Sequence, residues 1–249
     1  MEKIKGFYMY ETPEDLFRSA ARVFIELCHE ELARKGFFTV VLSGGETPTG
    51  LYSLLASEEF RERVPWKDIH FFWGDERCVP LGDSGSNYGT AWRLMLSKAA
   101  VPEENIHRMR GEMEPHKAAL EYEEEIRRFF REKGEEGLPS FDFILFGLGE
   151  DGHTLSLFPG SPALAERERL VVESKAQRPG PERLTMTIPL VRNARAGAFL
   201  VVGKGKAGIL REFMEGGGAR YPAGMVTPSS GNLIWLVDRD AAEDVLTGC

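Results

Sequence analysis

Asp151 and His153 flank a single glycine in the stretch FDFILFGLGEDGHTLSLFPG, residues 141–160. An imidazole titrates near neutrality, so His153 suits general acid–base chemistry, and a nearby carboxylate can orient it. Phe143 to Phe146 read as a buried strand that breaks at Gly147 and Gly149 into the loop carrying both groups. Open α/β sheets bind ligands outside the carboxyl ends of their strands, so this exit is where chemistry is expected. Either Asp151 or Asp75 is available to orient the imidazole. For the adjacent Glu150 a solvated loop acid is a sufficient reading.

Three further strand exits carry groups of the same kind. Phe37 to Leu42 runs into Ser43-Gly44-Gly45-Glu46-Thr47-Pro48 and then a helix. Strand, glycine turn and helix start form a phosphate cradle, because glycine admits backbone N–H groups to the anion and the helix end adds its dipole. The stretch is neither a Walker A loop nor GxGxxG, and a plain tight turn is the alternative. Ile69 to Trp73 leads into Gly74-Asp75-Glu76-Arg77-Cys78, read as a charged, cleft-lining loop. Ala198 to Val202 leads into Gly203-Lys204-Gly205-Lys206, where a lysine serves as a point-charge phosphate ligand. A parallel sheet gathers such exits along one edge.

Other chemistries are disfavoured. Ser43 lies in SGGET, which lacks the GxSxG nucleophile elbow. Nothing near Cys78 marks an activated thiolate. No second histidine stands at ligand spacing from His153, so no metal is expected. His107 and His116 sit among charged neighbours and read as surface histidines.

The elements that must position these groups follow from pattern. Thr12-Pro13 starts an amphipathic helix over 13–35 that Gly36 ends. Phe7 to Tyr10 reads as an edge strand, and a helix over 87–98 can be capped by Ser84 or Ser86. Residues 99–115 read as an irregular connection and 115–133 as an exposed helix rich in Glu and Arg. Leu170–Glu173 and Leu184–Ile188 are short strands around a loop from Gln177 to Arg183; Leu233–Val237 is a last strand before a short helix at 240–246. Strands alternating with helices imply an α/β fold with a mostly parallel sheet, helices on both faces, and a small extra β layer at 170–188. No repeat or linker divides 1–249, so one domain is expected.

A net charge of −8 excludes a general nucleic-acid binder, though a few cations in one cleft still suit a small anion. Three widely spaced cysteines, Cys28, Cys78 and Cys249, read as free thiols of a reducing compartment. MEKIKGFYMY lacks a signal-peptide core and no apolar run is long enough for a membrane span, so a cytoplasmic location is expected.

LSGGETPTG at 42–50, FFWGDERCVP with SNYG at 71–89, GLGEDGHTLSLFPG at 147–160 and GKGKA at 203–207 together resemble the 6-phosphogluconolactonase family. The resemblance covers nearly the whole chain. It implies a Rossmann-like α/β domain, shared with glucosamine-6-phosphate deaminase, that hydrolyses a sugar-phosphate lactone without a cofactor. It implies a functional link to glucose-6-phosphate dehydrogenase, which makes that lactone. By the same resemblance His153 is the general base, Arg77 a substrate-binding cation, and Ser43, Gly44, Gly45 and Thr47 the phosphate loop. Lys206 matches a phosphate-reaching lysine, Asp75 and Asp151 match motif acids, and Glu46 departs from the small polar residue of many relatives. An amino-sugar-phosphate deaminase/isomerase is the rival reading, for which DEY-like and DGHIAFNEPG motifs would be expected instead of DER and DGHTLSLFPG. A non-catalytic sugar-phosphate sensor is the other, and the N-terminus shows no DNA-binding pattern for it.

Overall fold

The computed structural model describes residues 6–175 and 179–247. Cys249, the first five residues, and positions 177 and 178 of the expected Gln177–Arg183 loop lie outside the described residues.

The chain opens with β1 (Gly6–Tyr10), α1 (Pro13–Lys35), β2 (Phe38–Leu42) and α2 (Thr47–Leu55). Thr12 caps α1 by accepting from Asp15 N at 3.2 Å, and Gly36 ends it at φ 80°. β3 (Ile69–Trp73), β4 (Asp75–Arg77), α3 (Asn87–Leu94), β5 (Ile106–His107), α4 (Pro115–Glu132) and β6 (Phe143–Gly147) follow. The second half holds β7 (Val171–Ser174), β8 (Arg183–Met186), α5 (Ile188–Arg192), β9 (Ala196–Val201), α6 (Ala207–Met214), α7 (Pro222–Met225), β10 (Leu233–Asp238) and α8 (Glu243–Thr247).

Seven strands form one sheet in the order β1-β10-β9-β6-β2-β3-β5, every pair parallel. β2 and β9 are buried at every position, so both faces of the sheet centre are covered, as parallel sheets require. The chain builds β3 and β5 on one side of β2, then returns to place β6 on the other. That reversal makes the β2/β6 boundary the switch point where a crevice opens at the carboxyl edge.

The structure revises four local readings. Asp75-Glu76-Arg77 is not a loop but strand β4, which pairs antiparallel with β8 in a second sheet ordered β4-β8-β7. The extra layer therefore recruits the DER motif as well as the segments around 170–188. Residues 99–115 contain edge strand β5, beside β3. Helix α3 stops at Leu94 and a 3-10 turn covers Leu96–Lys98; Ser86 is its cap, accepting from Gly89 N at 2.9 Å. His107 is buried, not a surface residue: its Nδ1 lies 2.9 Å from Glu125 and its Nε2 3.2 Å from His70 Nδ1. His116 is exposed, as expected, 3.3 Å from Glu173. Among the described residues no helix is long and apolar enough to cross a membrane.

Buried polar groups pin the strand exits. The Tyr52 hydroxyl, on α2, donates to Ser43 O at 2.6 Å and accepts from Ser43 N at 3.1 Å, at the end of β2. The Tyr122 hydroxyl, on α4, accepts from Trp73 N at 2.9 Å at the end of β3. The buried Asp238 carboxylate accepts from Gly203 N at 3.0 Å, just past β9. Tyr52→Phe leaves the buried Ser43 backbone without these partners; stability measured by urea denaturation should fall by about 1–3 kcal/mol.

Candidate active site

Four strand exits enclose a cleft of about 430 Å³ at the carboxyl edge of the large sheet. Ser43, Gly44, Gly45, Thr47, Asp75, Arg77, His153 and Lys206 line it. Asp151 is absent from that lining and reaches the cleft through His153.

His153 is held over a glycine. A β-carbon at Gly149 would stand 2.0 Å from His153 Nδ1 and 2.7 Å from Asp151 Oδ1, so only glycine leaves room for the pair. Asp151 Oδ1 lies 2.5 Å from His153 Nδ1 and also accepts from His153 N at 3.2 Å. An ionised carboxylate only accepts, so Nδ1 carries a proton, and in a neutral imidazole Nε2 is then the basic nitrogen. The ring packs against Phe158, with centroids 4.8 Å apart. Burial pushes the Asp151 carboxyl up, but the hydrogen bond and charge of His153 outweigh it and hold the group below its ordinary value. Its interaction therefore contributes stability above pH ~4, lost as pH falls through the lowered value.

The loop after β2 combines two glycine requirements. A β-carbon at Gly44 would meet Asn87 Oδ1 at 1.9 Å, and Gly45 adopts φ 95°. Helix α2 then starts with no side-chain cap: Glu46 occupies the N-cap position in a helical conformation and makes no capping bond. Pro48 has no N–H and Thr49 N donates to Glu46 O at 3.1 Å, so the helix dipole and the loop backbone before Pro48 are what face an anion in the cleft. Ser43 Oγ lies 3.6 Å from the β-carbon position of Gly147, which brings the β2 and β6 exits together.

The acids of the DER segment have diverged in role. Glu76 is buried away from the cleft and accepts from Arg77 N, Asn87 N and Tyr88 N at 2.7–2.8 Å, tying β4 to the start of α3. Burial raises its carboxyl despite those bonds. Asp75 is also buried but lines the cleft; its carboxylate accepts from Ser156 Oγ at 2.7 Å and Asn87 Nδ2 at 3.2 Å. The acid bonded to the imidazole is thus Asp151 and not Asp75. Cys78 is no nucleophile at neutral pH: burial, then the charge of Glu182, push its thiol up to about 11.

One lining residue escaped sequence reasoning. Arg183 stands opposite Arg77 in the β4–β8 register and faces the same cleft. Arg77 Nη1 is bonded to Gly85 O, but the Nε atoms of both arginines are buried without partners among the described residues. Burial, then the charge of Arg77, lower the Arg183 pKa. Two like charges facing across a ladder repel, and a bound anion would neutralise both. The cross-strand pairing was the only signal, and it depends on β4 being a strand.

The two lysines separate. Lys206 lines the cleft, while the exposed Lys204 turns to Glu243 on α8 at 2.8 Å. Glu150 lines the cleft too, with Oε1 2.8 Å from the β-carbon position of Gly205. Leu155, next along the loop, adopts φ 53°, a costly conformation for a leucine, and packs under Gly74, whose β-carbon would stand 2.5 Å from its Cδ2. Among the described residues no cluster of three or more His, Cys, Asp or Glu could hold a metal ion.

Arg183→Met removes the repulsion with Arg77. Thermal melting in ligand-free buffer should rise by on the order of 0.5 kcal/mol, or about 1–2 °C. Inorganic phosphate should then stabilise the variant less than the wild type.

The chain matches known proteins over most of its length. Residues 11–235 match the family described as glucosamine-6-phosphate isomerases/6-phosphogluconolactonase. A 6-phosphogluconolactonase from Synechocystis sp. is 44% identical over 218 residues, covering 86% of this chain and 87% of its own length. One from Haemophilus influenzae is 39% identical over 206 residues, covering 81% of this chain and 85% of its own. The crystal structure of 6-phosphogluconolactonase from Thermotoga maritima superposes with a TM-score of 0.79 at 29% identity, covering 94% of this chain and 99% of that one. The chain belongs to the glucosamine-6-phosphate isomerase/6-phosphogluconolactonase family.

Proposed function

We propose that this chain hydrolyses 6-phospho-D-glucono-1,5-lactone to 6-phosphogluconate, in the oxidative pentose phosphate pathway and in the cytoplasm. The observation that carries the reading is an Asp151-oriented imidazole at the rim of a cleft lined by Lys206, Arg77 and Arg183. Named relatives at up to 44% identity support the same substrate. Glucose-6-phosphate dehydrogenase chemistry supplies the lactone.

The phosphate sits at the open start of α2, on the N–H groups of the Gly44–Thr47 loop beside the Ser43 hydroxyl, with Lys206 and the arginine pair neutralising its charge. His153 Nε2 takes a proton from water as the water oxygen attacks C1. Positive charge then lies on an imidazolium facing Asp151, which stabilises it. The carbonyl oxygen becomes an oxyanion, met by the cations and loop N–H groups of the cleft. As the bond from C1 to the ring oxygen breaks, His153 returns the proton to that oxygen and the acid product ionises. An activated ester needs no covalent intermediate. Asp75, tied to Ser156 and Asn87, acts here as an anchor that balances the arginines.

The test generates the lactone enzymatically and follows its disappearance against the spontaneous background. The wild type should accelerate it, and no acceleration would overturn the reading. Glucosamine 6-phosphate should release no ammonia, which separates the other activity of the family. A sensor would bind without accelerating loss of the lactone. His153→Ala should lower kcat by about 10²–10⁴-fold with KM little changed. Asp151→Asn, which keeps size but loses the charge that sets the tautomer, should lower kcat by ~10–100-fold or more.

A further inference from the structure

The Asp151–His153 loop is supported from outside the cleft. Gly152, between the two residues, adopts φ 78°, and its carbonyl accepts from Ala223 N at 3.0 Å. Its α-carbon lies against the Tyr221 ring: a β-carbon there would stand 2.4 Å from Tyr221 Cδ1 and 2.6 Å from Cγ. The ring is itself fixed. Tyr221 N donates to Gly218 O at 3.0 Å, and its ring stacks with Phe213 at 5.8 Å and 22°. The Tyr221 hydroxyl donates to Glu212 Oε2, which Arg220 Nη2 also approaches at 3.1 Å. Phe213 and Glu212 lie on α6, the helix that begins directly after Lys206.

The loop needs such support. Glycines at 147, 149 and 152 give it large conformational freedom in the absence of contacts. The Asp151 side chain is 51% exposed and that of His153 33%, so the core does not immobilise them. Internal bonds from Gly149 N to His153 O at 2.8 Å and Gly152 N to Gly149 O at 3.0 Å close the turn, but they do not aim it. A misplacement of about 1 Å costs roughly 10²-fold in rate.

We infer that Tyr221 is a positioning residue whose ring, braced by Phe213 and Glu212, joins α6, and hence Lys206, to the Asp151–His153 loop, fixing the imidazole relative to the anion-binding end of the cleft. This rests on His153 as general base and goes beyond it, since Tyr221 does not line the cleft. Substrate binding draws on Lys206 and the α2 start in any loop pose, so losing the clamp reduces turnover more than affinity.

The test compares Tyr221→Ala, Tyr221→Phe and Glu212→Gln with the wild type by steady-state kinetics on the lactone. It adds the ¹⁵N-edited NMR signals of the His153 imidazole, assigned by their loss in His153→Ala. Tyr221→Ala should lower kcat by about 10–100-fold with KM changed less than about threefold, and should displace or broaden the His153 signals. Tyr221→Phe keeps the ring over Gly152 and should stay within about fivefold of wild-type kcat, as should Glu212→Gln, with His153 signals near their original positions. A merely structural tyrosine would lower melting temperature without moving those signals. Tyr221→Ala with kcat within about twofold of wild type and unmoved His153 signals overturns the inference. Should that variant fail to fold, Tyr221→Leu, which keeps bulk but not the ring, is read by the same criteria. If the wild type does not hydrolyse the lactone, the functional reading fails, yet the imidazole signals still decide the positioning: displaced they support it, unmoved they overturn it.

Discussion

The centre of this sheet is closed to solvent on both faces, and the rest of the molecule is arranged around that constraint. β2 is buried at all of its positions between β3 and β6; Thr39 N and Oγ1 donate to the buried Asp142 carboxylate, and its other side chains enter the core. At the sheet centre it is the carboxyl edge that opens to solvent as a cleft. The return of the chain across β2 to place β6 separates the loops there, and the cleft opens where Ser43 and Gly147 come together. A cleft made of strand exits is accurate only if those exits are fixed. Tyr52, Tyr122 and Asp238 do this with hydrogen bonds to backbone at Ser43, Trp73 and Gly203. Each is buried, where an unmade bond would cost far more than at the surface.

How legible a feature was in the sequence follows from how local its cause is. Thr12, Pro13 and Gly36 set the ends of α1 by contacts within a few residues, and that helix spans the range its pattern predicts. The glycine-rich exits were legible for the same reason. β4 was not, because three charged residues become a strand only by pairing with β8, far along the chain. Arg183 depends on that pairing and was hidden with it. His107 looked like a surface histidine because its sequence neighbours are charged. The fold instead stacks it on Phe72 at 4.3 Å and pairs it with Glu125.

The four acids in the two central motifs show what sequence alone leaves open. Asp75, Glu76, Glu150 and Asp151 are alike in type and distinct in the molecule. Glu76 satisfies N–H groups at the start of α3, where a carboxylate also meets the favourable end of the helix dipole. Asp75 joins β4 to the loop after β6 through Ser156. Asp151 alone bonds the imidazole, and Glu150 faces the turn before α6. Burial and partners, not residue type, assign these tasks.

Charge is the remaining paradox, since the chain carries a net −8 and yet presents a cleft for an anion. The resolution lies in distance. At physiological ionic strength charges beyond about 8 Å are largely screened, so the acidic surface weighs little on a ligand inside the cleft. Against Glu46, Asp75 and Glu150 of the same lining, with Asp75 tied to Ser156 and Asn87, stand Lys206, Arg77, Arg183 and the uncapped start of α2. Lys204, which would have added to them, is turned to Glu243. The two arginines face each other across a ladder with buried, unpartnered Nε atoms, an arrangement unfavourable in the free protein and relieved by an anion. That cost is tolerable because β4 and β8 are held by their other partners, Asp75 through Ser156 and Asn87 and Glu76 through the backbone of α3. The same buried acids that rigidify β4 therefore allow Arg77 to stand against Arg183 of β8 in readiness for the ligand.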